Sequence, residues 1–178
     1  MAGTTACPVA RAQTRGYARS AMIEMELTGV RVELPTNQPI VLLRERGGER
    51  YLPIWIGAAE AAAIALSLQG VVTPRPMTHD LLRTILDDLA VDVRRIEVTE
   101  LRESTFFATI AMNRQGEDYA ISSRPSDAIA LAVRMSVPIF VHEDVLEEAS
   151  ILIPEDEDDE VEKFREFLDE VTPDDFAQ

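Results

Sequence analysis

The chain has 178 residues, of which 46% are hydrophobic and only 6% are aromatic, and its formal net charge is −15 at pH 7. This length is enough for one compact domain with its own core and is short for two. No apolar run approaches the roughly 18 residues that cross a bilayer, so the sequence predicts a protein without a membrane anchor. The single cysteine, Cys7, cannot form an internal disulfide, which favours a cytoplasmic location.

The negative charge is concentrated at the C-terminal end. Residues 143–178 contain 16 Asp and Glu against Lys163 and Arg165, a net charge of −14, whereas the other 142 residues carry −1. The acidic end would repel a polyanion, but the rest of the chain would not. Net charge therefore neither supports nor excludes a nucleic-acid partner.

The chain divides into three segments. Residues 1–21 contain three arginines and no acid, and we expect them to form a disordered extension. Residues 22–154 carry the periodic apolar patterns of a folded domain. Residues 155–178 begin with an acidic run, which predicts a solvated linker, and continue with apolar residues at helical spacing, which predict a short amphipathic helix: Val161, Phe164, Phe167, Leu168 and Val171.

The first half of the domain predicts three antiparallel strands followed by two helices. Apolar patterns separated by turn signals predict strands over residues 25–32, 40–43 and 51–56. An Ala-rich helix is expected over residues 58–68. Thr78 is expected to cap a second helix that runs through Leu89.

The second half predicts another set of strands, over residues 91–98, 106–112 and 119–122, then a helix over 124–135 and a strand over 138–141. The resulting class is α+β, a mixed and mainly antiparallel sheet with helices packed on it. In each half an Ala-Ile-Ala-Leu run follows a strand, at Ala63–Leu66 and at Ala128–Leu131. This similarity indicates a duplicated strand–helix unit, although chance similarity explains it equally well.

Charged side chains gather where three predicted helices begin: at Glu60, at His79 and Asp80 after Arg75, and at Arg124, Ser126 and Asp127. Unpaired backbone N–H groups and the helix dipole favour negative charge at these positions, so helix capping alone explains the acids. The alternative is a binding site, because the same geometry holds an anion.

If the three helix starts converge, they could bind a phosphate group and a divalent cation. The residues assigned to substrate binding are Arg75, Arg124 and Ser126. The residues assigned to catalysis are His79, Asp80 and Asp127, with His79 transferring a proton. The expected ligands of a Mg²⁺ or Mn²⁺ ion are Glu60, Asp80 and Asp127. No pattern for an organic cofactor is present in the sequence, and none is expected.

Three ordered motifs resemble the bifunctional nuclease domain family: Tyr51-Leu52-Pro53-Ile54-Trp55-Ile56-Gly57 with Glu60, Arg75-Pro76-Met77-Thr78-His79-Asp80-Leu81-Leu82, and Ser123-Arg124-Pro125-Ser126-Asp127-Ala128-Ile129-Ala130-Leu131. The resemblance covers residues 22–154. It implies a compact α+β domain, often a homo-oligomer, for which we favour a dimer, and the ability to degrade both DNA and RNA.

Two functions therefore stay open at this point. The first is a nuclease that hydrolyses phosphodiester bonds with the help of a divalent metal. The second is a noncatalytic binding or regulatory module, in which the same helix starts hold an anionic ligand while the acidic end recruits a partner protein. A structural subunit that assembles through its Ala-rich helices is compatible with both.

Overall fold

The computed structural model of the protein describes residues 21–33 and 36–153. The elements within these ranges are β1 (Met22–Glu33), β2 (Gln38–Glu45), β3 (Arg50–Trp55), α1 (Ala58–Leu68), α2 (Thr78–Asp88), β4 (Asp92–Arg102), β5 (Thr105–Arg114), β6 (Glu117–Ser123), α3 (Pro125–Met135), β7 (Ile139–His142), α4 (Glu143–Ala149) and β8 (Ile151–Leu152). The extension predicted for residues 1–21, apart from Ala21, and the linker and helix predicted for 155–178 lie outside the described residues.

The strands form one sheet in the order β6-β5-β4-β7-β1-β2-β3-β8. Neighbouring strands are antiparallel except β4 and β7, which run parallel. Helix α1 packs on β1 and β2, and α3 packs on β4 and β5. The predicted α+β class with a mixed, mainly antiparallel sheet is therefore confirmed.

The elements predicted within the described residues are present, with one correction and two additions. Thr78 is the first helical residue of α2 and not its cap, because Asp80 accepts a 2.9 Å hydrogen bond from the backbone N–H of Met77 and the helix starts from there. The short elements α4 and β8 were not predicted. Among the described residues, no helix is long and apolar enough to cross a membrane.

The two halves of the domain repeat one arrangement. Strands β1–β3 form an antiparallel meander that leads into α1, and strands β4–β6 form a second one that leads into α3. The first strand of each meander lies innermost, on either side of β7, and the two helices pack against each other. The starts of α1 and α3 are thereby brought to equivalent places in the fold.

The centre of the core is formed by α3. Residues 128–132 of this helix are at most 1% exposed, and three of these five residues are alanine. Small side chains let the helix approach the sheet and α1 closely, while Ile129 and Leu131 fill the space between them. Each of these two residues contributes about 1.5–3 kcal/mol through burial.

Truncation of Ile129 should be costly because the helix cannot collapse into the space that is left. We expect Ile129→Ala to lower the free energy of unfolding by about 2–5 kcal/mol. The matched control is Ile121→Ala on β6, where the side chain is 41% exposed and the loss should be about 1 kcal/mol or less. Urea unfolding followed by circular dichroism measures both, and equal losses would contradict this account of the core.

Candidate functional site

The three acids singled out by the sequence occupy the same position in three helices. Glu60, Asp80 and Asp127 are each the third residue after the N-cap, in α1, α2 and α3 respectively. An acid at this position faces unpaired backbone N–H groups and the positive end of the helix dipole. Local sequence therefore places each carboxylate, and the packing of the helices decides which carboxylates meet.

Arg124, the N-cap residue of α3, joins the first and third of these acids. Its Nη2 lies 2.8 Å from Oε1 of Glu60 and 2.9 Å from Oδ1 of Asp127, and its Nε lies 2.7 Å from Oδ2 of Asp127. The hydrogen bonds from Arg124 are the main reason that the pKa of Asp127 lies below its ordinary value of 3.8. Because both carboxylates contact one nitrogen atom, they lie side by side.

Gly57, the N-cap residue of α1, leaves room for this arrangement. A Cβ atom at position 57 would collide with the carboxylate of Glu60. The absent side chain therefore lets Glu60 fold back over the start of its own helix while it still contacts Arg124.

His79, on α2, joins Glu60, Arg124 and Asp127 to form one cluster of charged and polar side chains. Its Nε2 lies 3.3 Å from Oδ1 of Asp127, and the residue is only 9% exposed. An ionised carboxylate can only accept a hydrogen bond, so Nε2 carries a hydrogen in this contact, and an imidazole with one N–H then has its lone pair on Nδ1. A carboxylate that fixes the tautomer of an imidazole is the arrangement of a general base.

Asp80 forms its hydrogen bonds with residues outside this cluster. One carboxylate oxygen accepts the Met77 N–H, and the other contacts Nε of the buried Arg134. Arg134 also donates to the carbonyl of Ala130 in its own helix, at 2.9 Å, and to the carbonyl of Ala63 in α1, at 3.0 Å. The guanidinium holds the pKa of Asp80 below its ordinary value of 3.8, and the pair connects α2 to the other two helices.

The remaining predicted residues differ in their placement. Ser126 is buried, 7% exposed, and lies next to Arg124 in the first turn of α3. Arg75 is exposed in the segment before α2 and forms no ion pair with the part of the chain that the structure describes. The structure thus brings together Glu60, His79, Arg124 and Asp127, with Ser126 beside them, and it joins neither Arg75 nor Asp80 to this group.

The fit of a metal ion depends on these contacts. Within residues 21–33 and 36–153, no group of three or more His, Cys, Asp or Glu side chains is arranged to hold a metal. Glu60 and Asp127 are adjacent, but the guanidinium of Arg124 lies between them. Mg²⁺ commonly uses one or two protein carboxylates together with substrate phosphates, so these two acids have the chemistry of its ligands, but Arg124 pairs with both of them in this structure.

A cleft of about 410 Å³ opens beside the cluster. Its lining includes the starts of α1 and α3, with Arg124 and Ser126, and the aromatic side chains of Trp55 and Phe106. Half of Trp55 is exposed, and its indole N–H donates to Glu33 at 3.1 Å. The cleft therefore combines an accessible aromatic ring with a guanidinium.

Sequence reasoning did not assign roles to Arg134 or Trp55. Arg134 interrupts the apolar face of α3, and a buried arginine requires hydrogen-bond acceptors. Its position in the sequence could therefore have predicted an acidic partner on another helix. Trp55 stands inside the first motif, but nothing in the sequence shows that its ring is accessible. The partners of both residues come from distant parts of the chain, which local patterns do not reveal.

The sequence matches the family described as the bifunctional nuclease domain over residues 41–154, and the chain belongs to this family. It is 51% identical over 164 residues to an uncharacterized protein of Mycobacterium tuberculosis (strain ATCC 25618 / H37Rv), a match that covers 87% of this chain and 98% of that protein. It is 30% identical over 115 residues to bifunctional nuclease 1 of Arabidopsis thaliana, covering 61% of this chain and 35% of the plant protein. Bifunctional nuclease 2 of Oryza sativa subsp. japonica is 29% identical over 109 residues, covering 59% of this chain and 34% of the plant protein. The predicted resemblance is confirmed, and the plant matches span about a third of each plant protein.

The contact between Asp80 and Arg134 should stabilise the fold. We expect Asp80→Asn to lower the free energy of unfolding by about 1–2 kcal/mol at pH 7, a value moderated by the partial exposure of Asp80. The folded-state pKa of Asp80 is lowered, so its contribution is complete above the ordinary value of 3.8 and is lost as the pH falls through the folded value. Urea unfolding of both proteins between pH 7 and pH 3 measures the difference, which should shrink below pH 3.8.

The matched control is Asp88→Asn, at the exposed C-terminal end of the same helix. This change should alter stability by no more than about 0.5 kcal/mol. A loss as large as that of Asp80→Asn, or a difference that does not depend on pH, would contradict the assigned contact.

Proposed function

We propose that this protein is a nuclease that hydrolyses phosphodiester bonds of DNA and RNA. The observation that carries the proposal is the contact of His79 with Asp127, which is in turn paired with Arg124, a residue that lines the cleft. This grouping supplies a candidate base and a candidate phosphate ligand side by side. Membership of the bifunctional nuclease domain family supports the same conclusion.

In the proposed reaction, water attacks phosphorus, the bond to the leaving oxygen breaks, and that oxygen takes up a proton. His79 accepts the proton that the attacking water loses, and Asp127 holds the imidazole in the required tautomer. Arg124 and Ser126 bind the phosphate, and Arg75 contacts the nucleic acid outside the cleft. Asp80 acts as a positioning residue, through Arg134.

Binding of a phosphate by Arg124 competes with its ion pairs to Glu60 and Asp127. Since the side chain of Arg124 is 66% exposed, it has room to turn toward a substrate. We propose that Glu60 and Asp127 then hold Mg²⁺ or Mn²⁺, which would supply charge neutralisation at the phosphate. Asp80 is not among these proposed metal ligands, because the carboxylate of Asp80 is bound to Arg134 and to the backbone N–H of Met77.

Cleavage of labelled single- and double-stranded DNA and RNA tests this function. Highly purified protein should cleave them with Mg²⁺ or Mn²⁺ and lose activity in chelator. Asp127→Asn and His79→Gln should each lower the rate by about 100-fold or more. His79→Gln keeps a donor for Asp127 but has no titratable ring nitrogen, so it separates proton transfer from packing.

Asp88→Asn, purified identically, is the control and should retain full activity, because its side chain is exposed at the far end of α2. Thermal unfolding establishes that each variant is folded. Equal trace cleavage by all the proteins would indicate a contaminant and would overturn the proposal.

The second candidate function is a noncatalytic module that binds an anionic ligand or a partner protein. The specific observation in its favour is that Glu60 and Asp127 already neutralise Arg124, and that Glu33 adds a further carboxylate near the cleft. In that case a nucleic acid or another anion would bind without turnover in the cleavage experiment.

We also propose that the protein forms a homodimer in the cytoplasm. The support is an apolar stripe on α2, in which only His79 is buried. Its exposed residues Leu81 and Ile85 and its C-cap residue Leu89 follow one another at four-residue spacing. A two-fold axis would cover the same stripe on both subunits. The cytoplasmic location follows from the nucleic-acid substrates and from the single cysteine.

A charge in the stripe should separate the subunits. Light scattering coupled to gel filtration should give about twice the chain mass of 19.8 kDa for the unmodified protein. Ile85→Glu should give the monomer mass, since an unpaired charge in an apolar interface is costly. Leu152→Glu, at a 70% exposed residue of β8, is the control and should stay dimeric. A monomeric unmodified protein would refute the dimer.

A further inference from the structure

Trp55 is the only tryptophan of the chain, and it is half exposed at the end of β3. A tryptophan ring offers one of the largest apolar surfaces of any side chain, so exposure of half of it is unfavourable unless something covers it. The hydrogen bond from its indole N–H to Glu33 fixes one edge of the ring. The ring is therefore oriented as well as accessible.

The surroundings of Trp55 indicate what could cover it. Phe106 lines the same cleft and adds apolar surface, and Arg124 and Ser126, which also line it, supply hydrogen-bond donors. A ligand that matches this cleft has a flat apolar group next to an anionic group. A nucleotide unit of a single strand has this chemistry, with an unstacked base beside a phosphate.

We propose that the cleft binds single-stranded nucleic acid, with one base stacked on Trp55 and an adjacent phosphate at Arg124. The inference deepens the proposed nuclease function and rests on it for the identity of the substrate. In a duplex both faces of a base are occupied by its neighbours, so the ring of Trp55 selects single strands. Stacking tolerates every base and both sugars, so the selection does not distinguish DNA from RNA.

Because Trp55 is the only tryptophan, its fluorescence reports this contact directly. The protein is titrated in chelator with a single-stranded oligonucleotide of mixed sequence and with the corresponding duplex. We expect the single strand to quench the fluorescence at concentrations at least about 10-fold lower than the duplex does. The reason is that stacking of one base on an aromatic ring raises the affinity by about 10-fold.

Variants are compared by the anisotropy of a labelled single strand. Trp55→Leu should weaken binding by about 5- to 150-fold, the factor measured when a stacking residue is removed. Trp55→Phe keeps an aromatic face and should retain most of the affinity. Tyr119→Leu, which removes a 43% exposed aromatic ring on β6, is the control and should bind as the unmodified protein does. Thermal unfolding establishes that each variant is folded.

The outcomes separate this inference from the proposed function. The stacking contact would be overturned, and the nuclease left intact, by two results together. The protein would cleave nucleic acid without any quenching of its fluorescence, and Trp55→Leu and the unmodified protein would cleave single and double strands at equal rates. Quenching by the single strand without any cleavage would support the contact and overturn the nuclease. Absence of both binding and cleavage would overturn both.

Discussion

The arrangement of the helices depends on the buried guanidinium of Arg134. A buried cation must find acceptors, and Arg134 finds them on three helices, at Asp80, Ala63 and Ala130. His79 is the one buried residue of α2, and Leu86 packs partly against the core, so the contact of Asp80 with Arg134 adds a polar link that holds this helix in place. The contact that fixes α2 also holds His79 near Asp127.

Repetition of one structural unit produces the centre of the site. Each meander delivers a helix whose third residue is an acid, and packing of α1 on α3 brings Glu60 and Asp127 together. Two adjacent carboxylates repel each other, and Arg124 compensates this repulsion by contacting both. The cluster is therefore stable without a ligand, yet the guanidinium of Arg124 is exposed and can exchange partners.

Recognition of a polyanion by this domain would have to be local. The described region has no strongly basic composition, and the acidic residues after position 142 disfavour any long-range attraction. An accessible ring beside one guanidinium uses stacking and a short-range charge contact, both of which act within the cleft. The proposed single-strand contact is consistent with this distribution of charge.

The sequence by itself determined the α+β class, the family, the acids at three helix starts and, within the described residues, every element except the short α4 and β8, because caps and apolar periodicity act over a few residues. It did not determine which of these acids meet. The tertiary structure joined Glu60 to Asp127 through Arg124 and directed Asp80 to Arg134. It also left Trp55 accessible in the cleft. These contacts join residues up to 64 positions apart along the chain, and only the packing of the helices on the sheet brings such residues together.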